Sequence, residues 1–480
     1  MTKTKNNYSY IYLLIGFIFL FFFNGKWILP IAAFIAPVFL IRFFRLQKPL
    51  KGFILLVLVG WISNIFIWKG MMPISGFFYY FLMFIFSMTA ALTYLIDKAY
   101  AKKFKGIIST LVFPSAVILM DFFFVSTSIN PSGSYGSLAH TQTFLPLLQI
   151  FSVTGIWGMV FIILWTSSMI NWLWDNSFEK GKIKLSLLTY GITFISIILF
   201  GQIRLAISTK CETVRIASIN IGKDVLHNRF NVNVDSLVEK ANKNFLTHCE
   251  IAATSGAKIV FGTETVISLQ KDNENEFIEK AKVIAQKDSI YLGLPMEVIL
   301  KDFPKVRPEN KIIWISPKGQ VLYTYHKSKI TPGEGDYGNG IIKYFDSPYG
   351  RISSSICWDM SHPAYISQVN KMNIDIMLVP GNDWSEITPY HTFVASARAI
   401  EQGFNMVRAV SRGFSASFNY KGQLLSSMNY YKTDDLILYS DVPTKGHKTI
   451  YSILGDYFAW LCIIFFVIIS AFFIKFKFEK

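Results

Sequence analysis

The first two hundred residues alternate between long apolar runs and short polar breaks. A bilayer asks about 20 mostly apolar residues of a crossing helix. Candidates lie at about Tyr10–Phe23, Trp27–Phe44, Phe53–Trp68, Phe77–Ile96, Gly106–Val125, Gln149–Trp174 and Leu185–Ile203. The pattern then stops. From Cys211 to Lys448 the chain is mixed, charged and interrupted by turns, and an eighth apolar run follows at Tyr457–Ile474. These boundaries predict an N-terminal membrane domain over residues 1–210, an inserted soluble domain over 211–448, and a last span with its tail over 449–480. The first run lacks a small-residue cleavage site and further spans follow at once, so it reads as retained.

Inside the middle region the period changes. ETVRIASINIG, from Glu212, alternates β-branched residues and ends in glycine, which reads as a strand. Val234–Ser255 and Asn273–Asp288 have helical spacing, and each is followed by a short apolar strand, Ala257–Phe261 and Ile290–Pro295. Lys311–Ser316, the turn Pro317–Gly319 and Val321–Tyr325 make a hairpin. Ile352–Ile356 and Ile374–Pro380 are buried strands, with a helix over about Thr392–Gln402 before the next. Strands alternating with helices predict a layered α/β domain, in which ligands gather beyond the carboxyl ends of the strands.

Composition sharpens this picture in one respect. Only 16% of the 480 residues are charged while 52% are hydrophobic, against about 25% charged in soluble domains. The formal charge of +16 would suggest nucleic acid if it were clustered. Instead the lysines and arginines mark alternate connections: Lys3 and Lys5; Arg42, Arg45, Lys48 and Lys51; Lys98, Lys102, Lys103 and Lys105; Lys180, Lys182 and Lys184. The intervening connections hold only Lys26, only Lys69, or, across Ser126–Gln142, none. The excess of positive charge inside puts both termini in the cytoplasm and the inserted domain on the exoplasmic face, and leaves no case for nucleic acid. Four scattered cysteines give neither a disulfide framework nor a CxxC metal pattern. Whether Cys211 and Cys249 pair stays open.

Three reactive side chains fall at strand ends of the inserted domain. Glu264 closes AKIVFGTE, Lys327 follows the hairpin in VLYTYHKSKI, and Cys357 sits in SSSICWDMSHP just past a strand. Singly each is ordinary: a buried cysteine packs as a small hydrophobe, a lysine after a hairpin is a solvated charge, and the glutamate caps the next segment. Together they are a base, a cation and a nucleophile. A free thiol is only slightly ionised at neutral pH and needs such help. Glu264 is placed to take the Cys357 proton, Lys327 to favour thiolate and oxyanion, and the Trp358 N–H to act as a second oxyanion donor. His391 and His362 raise the alternative of a Cys–His dyad, but their local pattern matches no such family. No spaced ligand cluster supports a metal, and no cofactor motif is present.

A Glu after a strand, a Lys after a hairpin and a Cys in ICWD, in that order, with ARAIEQGFN at Ala397–Asn405, resemble the nitrilase (carbon–nitrogen hydrolase) superfamily over about Thr213–Val442. The resemblance implies a four-layer αββα sandwich. With spans before it and one after, and GSYGSLAHTQTFLPLLQIFSVTGIWGMVF from Gly133, the chain is similar to the apolipoprotein N-acyltransferase family of bacterial inner membranes. The fold expected is therefore a polytopic α-helical membrane protein of about eight transmembrane helices carrying an inserted nitrilase-like sandwich.

That resemblance implies a phospholipid acyl donor, a thioester on Cys357, and a diacylglyceryl-modified apolipoprotein acceptor, with no cofactor. Other readings are a membrane-anchored nitrilase-type amidase, an acyltransferase with another acceptor, and a non-catalytic scaffold. The family reads LVPFGE after its lysine where this chain has ITPGEGD. Glu334 is the nearest match to the family's further glutamate, one residue short in spacing from Lys327, and Asp336 is the alternative. Asp359 stands where the family has Glu. Trp384, in VPGNDW with Asn382 and Asp383, reads equally as a border of the acyl or headgroup pocket or as a buried loop anchor. Asp359 and Tyr390 are further candidates for substrate contact, and Arg398 with Glu401 reads as a structural pair.

Overall fold

The computed structural model describes residues 2–126, 132–207, 211–220 and 234–478, apart from 102 and 105. Residues 127–131 of the Ser126–Gln142 connection, Lys102 and Lys105, and the end of the ETVRIASINIG run lie outside the described residues, as do the side chains of Lys3, Lys5, Lys180 and Lys182. The chain divides into two compact units, Met1–Ile207 with Leu454–Lys480, and Ser208–Ile453.

In the first unit helices form at the apolar runs: α1 Thr2–Leu20, α2 Pro30–Leu46, α3 Pro49–Ile67, α4 Gly76–Tyr100, α5 Ile107–Ser126, α6 Ile156–Asp175, α7 Lys180–Ala206 and, after the second unit, α11 Tyr457–Phe478. Among the described residues six of these, α3 to α7 and α11, are long and apolar enough to cross a membrane. α1 is apolar only from Tyr8 to Leu20, and α2 has 17 residues, so the expected count of about eight is met by length in six. Proline at the first position starts α2 and α3, where its missing N–H costs nothing. The run Gln149–Trp174 is not one helix. Short helical turns at Leu145–Leu148 and Phe151–Thr154 precede α6, and Gly155 at φ +63° redirects the chain before it.

One end of this bundle is fastened by charge. Arg45, from α2, donates to both carboxylate oxygens of Asp97 in α4, each at 2.8 Å, and to Asp175 at the end of α6, also at 2.8 Å. Arg42 pairs with Asp175 as well. The C-terminal ends of α2, α4 and α6 therefore meet on one face, as alternate crossings require.

The second unit is a sandwich of two sheets. One has strand order β13-β1-β2-β4-β5-β6, with β3 paired on β4; the other runs β12-β11-β10-β9-β8-β7. The strands are β1 Thr213–Ile219, β2 Ile259–Gly262, β3 Ile267–Gln270, β4 Tyr291–Ile299, β5 Glu309–Ile315, β6 Val321–His326, β7 Tyr344–Ser347, β8 Gly350–Ser354, β9 Ile376–Asn382, β10 Asn405–Ser411, β11 Phe414–Phe418, β12 Leu424–Asn429 and β13 Ile437–Pro443. Helices α8 Val234–Thr254 and α9 Glu274–Lys287 cover the first sheet, and α10 Tyr390–Gln402 covers the second. This is the αββα layering expected. β1, β2 and β4 are mutually parallel, as are β8, β9 and β10, so their carboxyl ends deliver loops to a common edge.

Between the sheets Ile216, Ile259, Phe261 and Trp314 interdigitate with Phe345, Ile352, Leu378 and Val407. Trp314 is fully buried and donates its indole N–H to Ser354 Oγ at 3.1 Å, joining β5 to β8 across the layer. Trp314→Ala should cost about 3–5 kcal/mol through the cavity it leaves, and Trp314→Phe clearly less. Denaturant unfolding of the second unit's signal within the full chain checks both, and equal losses would place the weight on the hydrogen bond instead.

Candidate active site

The carboxyl ends of four strands, β2, β6, β8 and β9, and the start of β5 supply the site. Glu264 lies two residues past β2, and its N–H reaches Gly381 O of β9 at 3.3 Å, so it is tied to the opposite sheet. Lys327 directly follows β6, with its own N–H bonded to Asn310 O at 2.9 Å. Its ammonium is 2% exposed and donates to Glu264 Oε1 at 2.9 Å and to Glu334 Oε1 at 2.6 Å. Asn310 Nδ2 adds a third contact, to Glu264 Oε1 at 2.8 Å. The other oxygen, Glu264 Oε2, accepts no hydrogen bond from a described residue.

The glutamate one residue short of the family spacing reaches the lysine all the same. Gly333, at φ +99°, turns the loop back, and Thr331 N–H caps Glu334 Oε2 at 2.6 Å. Asp336 is exposed. ITPGEGD thus closes a tighter loop onto the same cation.

Cys357 opens a 3₁₀ turn, Cys357–Ser361, three residues after β8. It has φ +48°, a left-handed backbone that non-glycine residues adopt rarely and that marks functional turns. Asp359 holds this turn. It is fully buried, and its Oδ2 accepts from Ile356 N–H at 2.8 Å and Tyr325 Oη at 2.6 Å. Its Oδ1 accepts from Lys329 N–H at 2.7 Å and Ser328 N–H at 3.2 Å. A carboxylate with four donors already on it, expected from sequence at the substrate, fastens the Cys357 turn to the segment after Lys327.

Behind the cysteine lies a group the sequence reading gave little weight. Asp383, at the end of β9, takes His391 Nδ1 at 2.8 Å and Arg408 Nη2 at 3.0 Å on Oδ1, and all three side chains are buried. His391 packs its ring 5.1 Å from that of Trp358. Potential ligand atoms of Cys357, Asp383 and His391 lie within 4.8 Å of one another, a spacing small enough for a metal. Asp383, however, already balances a guanidinium, and adding a divalent cation beside Arg408 and Lys327 is electrostatically unfavourable. Arg408 went unremarked in the sequence, although a lone arginine inside the apolar strand NMVRAVS is a flag, since charged residues are rarely buried without a partner. Asn310 carried no local signal. His391 is brought here by the β9–α10 connection, which also carries Trp384, half-buried, and Tyr390, buried at the start of α10. Arg398 and Glu401 pair at 3.0 Å within α10, fully buried. Cys211 and Cys249 are both free, and Cys249 belongs to the core under α8.

Electrostatics follow from burial. Burial would push the Lys327 ammonium down, but Glu264, Cys357 and Glu334 reverse this and hold it well above its ordinary value. Burial and then the charge of Glu264 push the Cys357 thiol well up, with Lys327 opposing. Burial lifts Asp359 to about 6 against its hydrogen bonds. Burial and Arg408 lower His391, which keeps it neutral near pH 7. The resting site therefore holds a neutral thiol beside a fixed lysine cation and a carboxylate.

Residues 215–447 match the family model described as carbon-nitrogen hydrolase. The sequence is 24% identical to apolipoprotein N-acyltransferase 1 of Treponema denticola, over 72% of this chain and 74% of that one. It is 25% identical to the apolipoprotein N-acyltransferase of Rickettsia bellii, over 67% of each. Among solved structures, an amidase from Nesterenkonia sp. is similar at 17% identity and TM-score 0.39, covering 50% of this chain and 94% of that one. Residues 215–447 thus form a carbon–nitrogen hydrolase domain, and these relatives, which match most of the chain, are apolipoprotein N-acyltransferases.

If burial governs Cys357, alkylation by iodoacetamide without substrate should keep rising through pH 9, because the thiolate is the reacting form. A plateau below about pH 8 would contradict that. Asp359→Ala, which frees the turn, should cut turnover by at least about tenfold with the fold retained, and Asp359→Asn less, since an amide oxygen still accepts.

Proposed function

We propose that this protein is a phospholipid:apolipoprotein N-acyltransferase of the bacterial inner membrane, working through Glu264, Lys327 and Cys357. The observation that carries the reading is the buried Lys327–Glu264 pair acting on a strained cysteine at the strand ends, in a chain with membrane-length helices on both sides of that unit. In the reaction Cys357 Sγ attacks the ester carbonyl of a phospholipid while Glu264 takes the thiol proton. Lys327 Nζ and the Trp358 N–H bear the oxyanion; one such donor is typically worth about 3–4 kcal/mol. The ester C–O bond breaks, Glu264 returns the proton to the departing lysophospholipid alcohol, and the acyl chain stays as a thioester. The α-amine of a diacylglyceryl-cysteine N-terminus then attacks, Glu264 takes an amine proton, and the thiol is expelled and reprotonated, leaving an amide. Glu334 holds Lys327 in place, Asp359 sets the nucleophile turn, and Trp384 and Tyr390 border the substrate on the β9–α10 connection.

An exoplasmic second unit with both termini in the cytoplasm suits two lipid substrates, and the distribution of lysines and arginines supports it. A membrane-anchored amidase would share these residues, but the relatives that match most of the chain bear the transferase name.

Intact-protein mass spectrometry after incubation with phospholipid should show one acyl mass on Cys357 that moves to a diacylglyceryl-cysteine peptide. Cys357→Ala should form no adduct, and Glu264→Gln should slow both half-reactions by about 10²-fold or more. An adduct that discharges to water alone would favour the amidase. A reporter placed within Asn273–Asp288 should prove exoplasmic.

A further inference from the structure

The first unit holds a carboxyl that its helix packing does not use. Asp121 lies in α5, within FPSAVILMDFFFVS, and makes no hydrogen bond or ion pair with a described residue. It faces a cavity of about 280 Å³ within the helical bundle. Isolated ionisable groups in membrane helices are costly and mark sites of function, with their partner the first question. The other two aspartates in the described helices of this unit, Asp97 and Asp175, are paired with Arg45 and Arg42. Those pairs gather the C-terminal ends of α2, α4 and α6, so Asp121 lies toward the opposite face.

It is about one and a half turns, or ~7.5 Å, below the end of α5. The cavity is walled at that face by Asn24, Trp68 and Ser137, from the α1–α2, α3–α4 and α5–α6 connections, and deeper by Asn64 and Thr93. By the same alternation of crossings, this is the face on which α7 ends. Among the described residues the lining contains no lysine, arginine or histidine. A cation brought by a ligand would therefore meet Asp121 directly, whereas a phosphate would meet no counter-charge. The volume is near the lower end of the ~300–1,000 Å³ typical of small-molecule pockets, enough for a head end with its chains left in the bilayer.

We propose that this chamber holds the free α-amine of the lipid-modified acceptor as its ammonium, with Asp121 as counter-ion, before the amine is released to the Cys357 thioester; the identity of the ligand rests on the function proposed above. A phosphoethanolamine headgroup offers the same ammonium but brings a phosphate that the lining does not balance, so the acceptor is favoured over the donor.

The test uses the full chain carrying Cys357→Ala, so that nothing reacts, and measures binding of a fluorescent diacylglyceryl-cysteine peptide and of its N-acetyl analogue. The free-amine peptide should bind at least about tenfold tighter. Adding Asp121→Asn should remove that preference, and Asp121→Glu should retain it. In the Cys357-containing protein, Asp121→Asn should still load acyl chain onto Cys357 at the normal rate, which also shows that it is folded, while the acceptor KM rises. An unchanged amine preference in Asp121→Asn overturns the proposal. So does a loss confined to acyl loading, which would give the chamber to the donor headgroup. Failure of Cys357 to acylate in the unmodified protein would instead strike the proposed function, and is separable.

Discussion

A lysine ammonium with almost no solvent is the constraint around which the second unit is arranged. Removing such a charge from water costs several kcal/mol even after relaxation, and it is tolerated only with close, well-oriented counter-charges. Glu264 and Glu334 supply them, and each must come from a different loop. That requirement fixes where β2, β6 and the ITPGEGD loop end relative to one another. It also leaves one net negative charge on the three groups, which helps to explain why the neighbouring cysteine rests as a thiol. Activation is thereby postponed until a substrate offers an electrophile.

Much of this was legible in the sequence, for physical reasons that differ by element. The membrane helices were readable because hydropathy alone selects them, and the strands of the second unit because β-branched runs ended in polar turns. The break at Gly155 was not readable, since an apolar stretch gives no hint that one glycine will turn left-handed inside it. The short strands β3 and β7, four residues each, carry too few alternating positions to stand out, and each is held by the strand that follows it, β4 and β8. At the site, the three strand-end residues were visible as an ordered set, and Glu334 was preferred to Asp336 on similarity alone; loop geometry brings Glu334 to Lys327. The bonds of Asp359 to the backbone on both sides were not readable, because proximity to Cys357 in sequence says nothing of which way a carboxylate faces. His391 and Arg408 meet Asp383 only through tertiary folding, and no local pattern announces that.

The two halves of the chain use charge in opposite ways. In the helical unit, arginines and aspartates clamp helix ends at one face, and Asp121, which no described residue pairs with, faces a cavity at the other. In the sandwich Lys327 is matched by two carboxylates and Asp383 by the Arg408 guanidinium, with neutral His391 hydrogen-bonded beside it, while Asp359 is held by four uncharged donors. Packing alone would be served as well by apolar residues of similar size, so the expense of these charges is explained by chemistry rather than by stability.

The carboxyl group of Asp359 reaches in two directions at once, to the backbone before Cys357 and to the backbone after Lys327. The separation between sulfur and cation is thus set by one small rigid group, like a spacer between two plates, and not by the breathing of two sheets. Loosening of either segment disengages both. A partly opened site would then lose its whole chemistry together, without passing through a form in which an exposed, activated sulfur could attack whatever lipid or water arrived first.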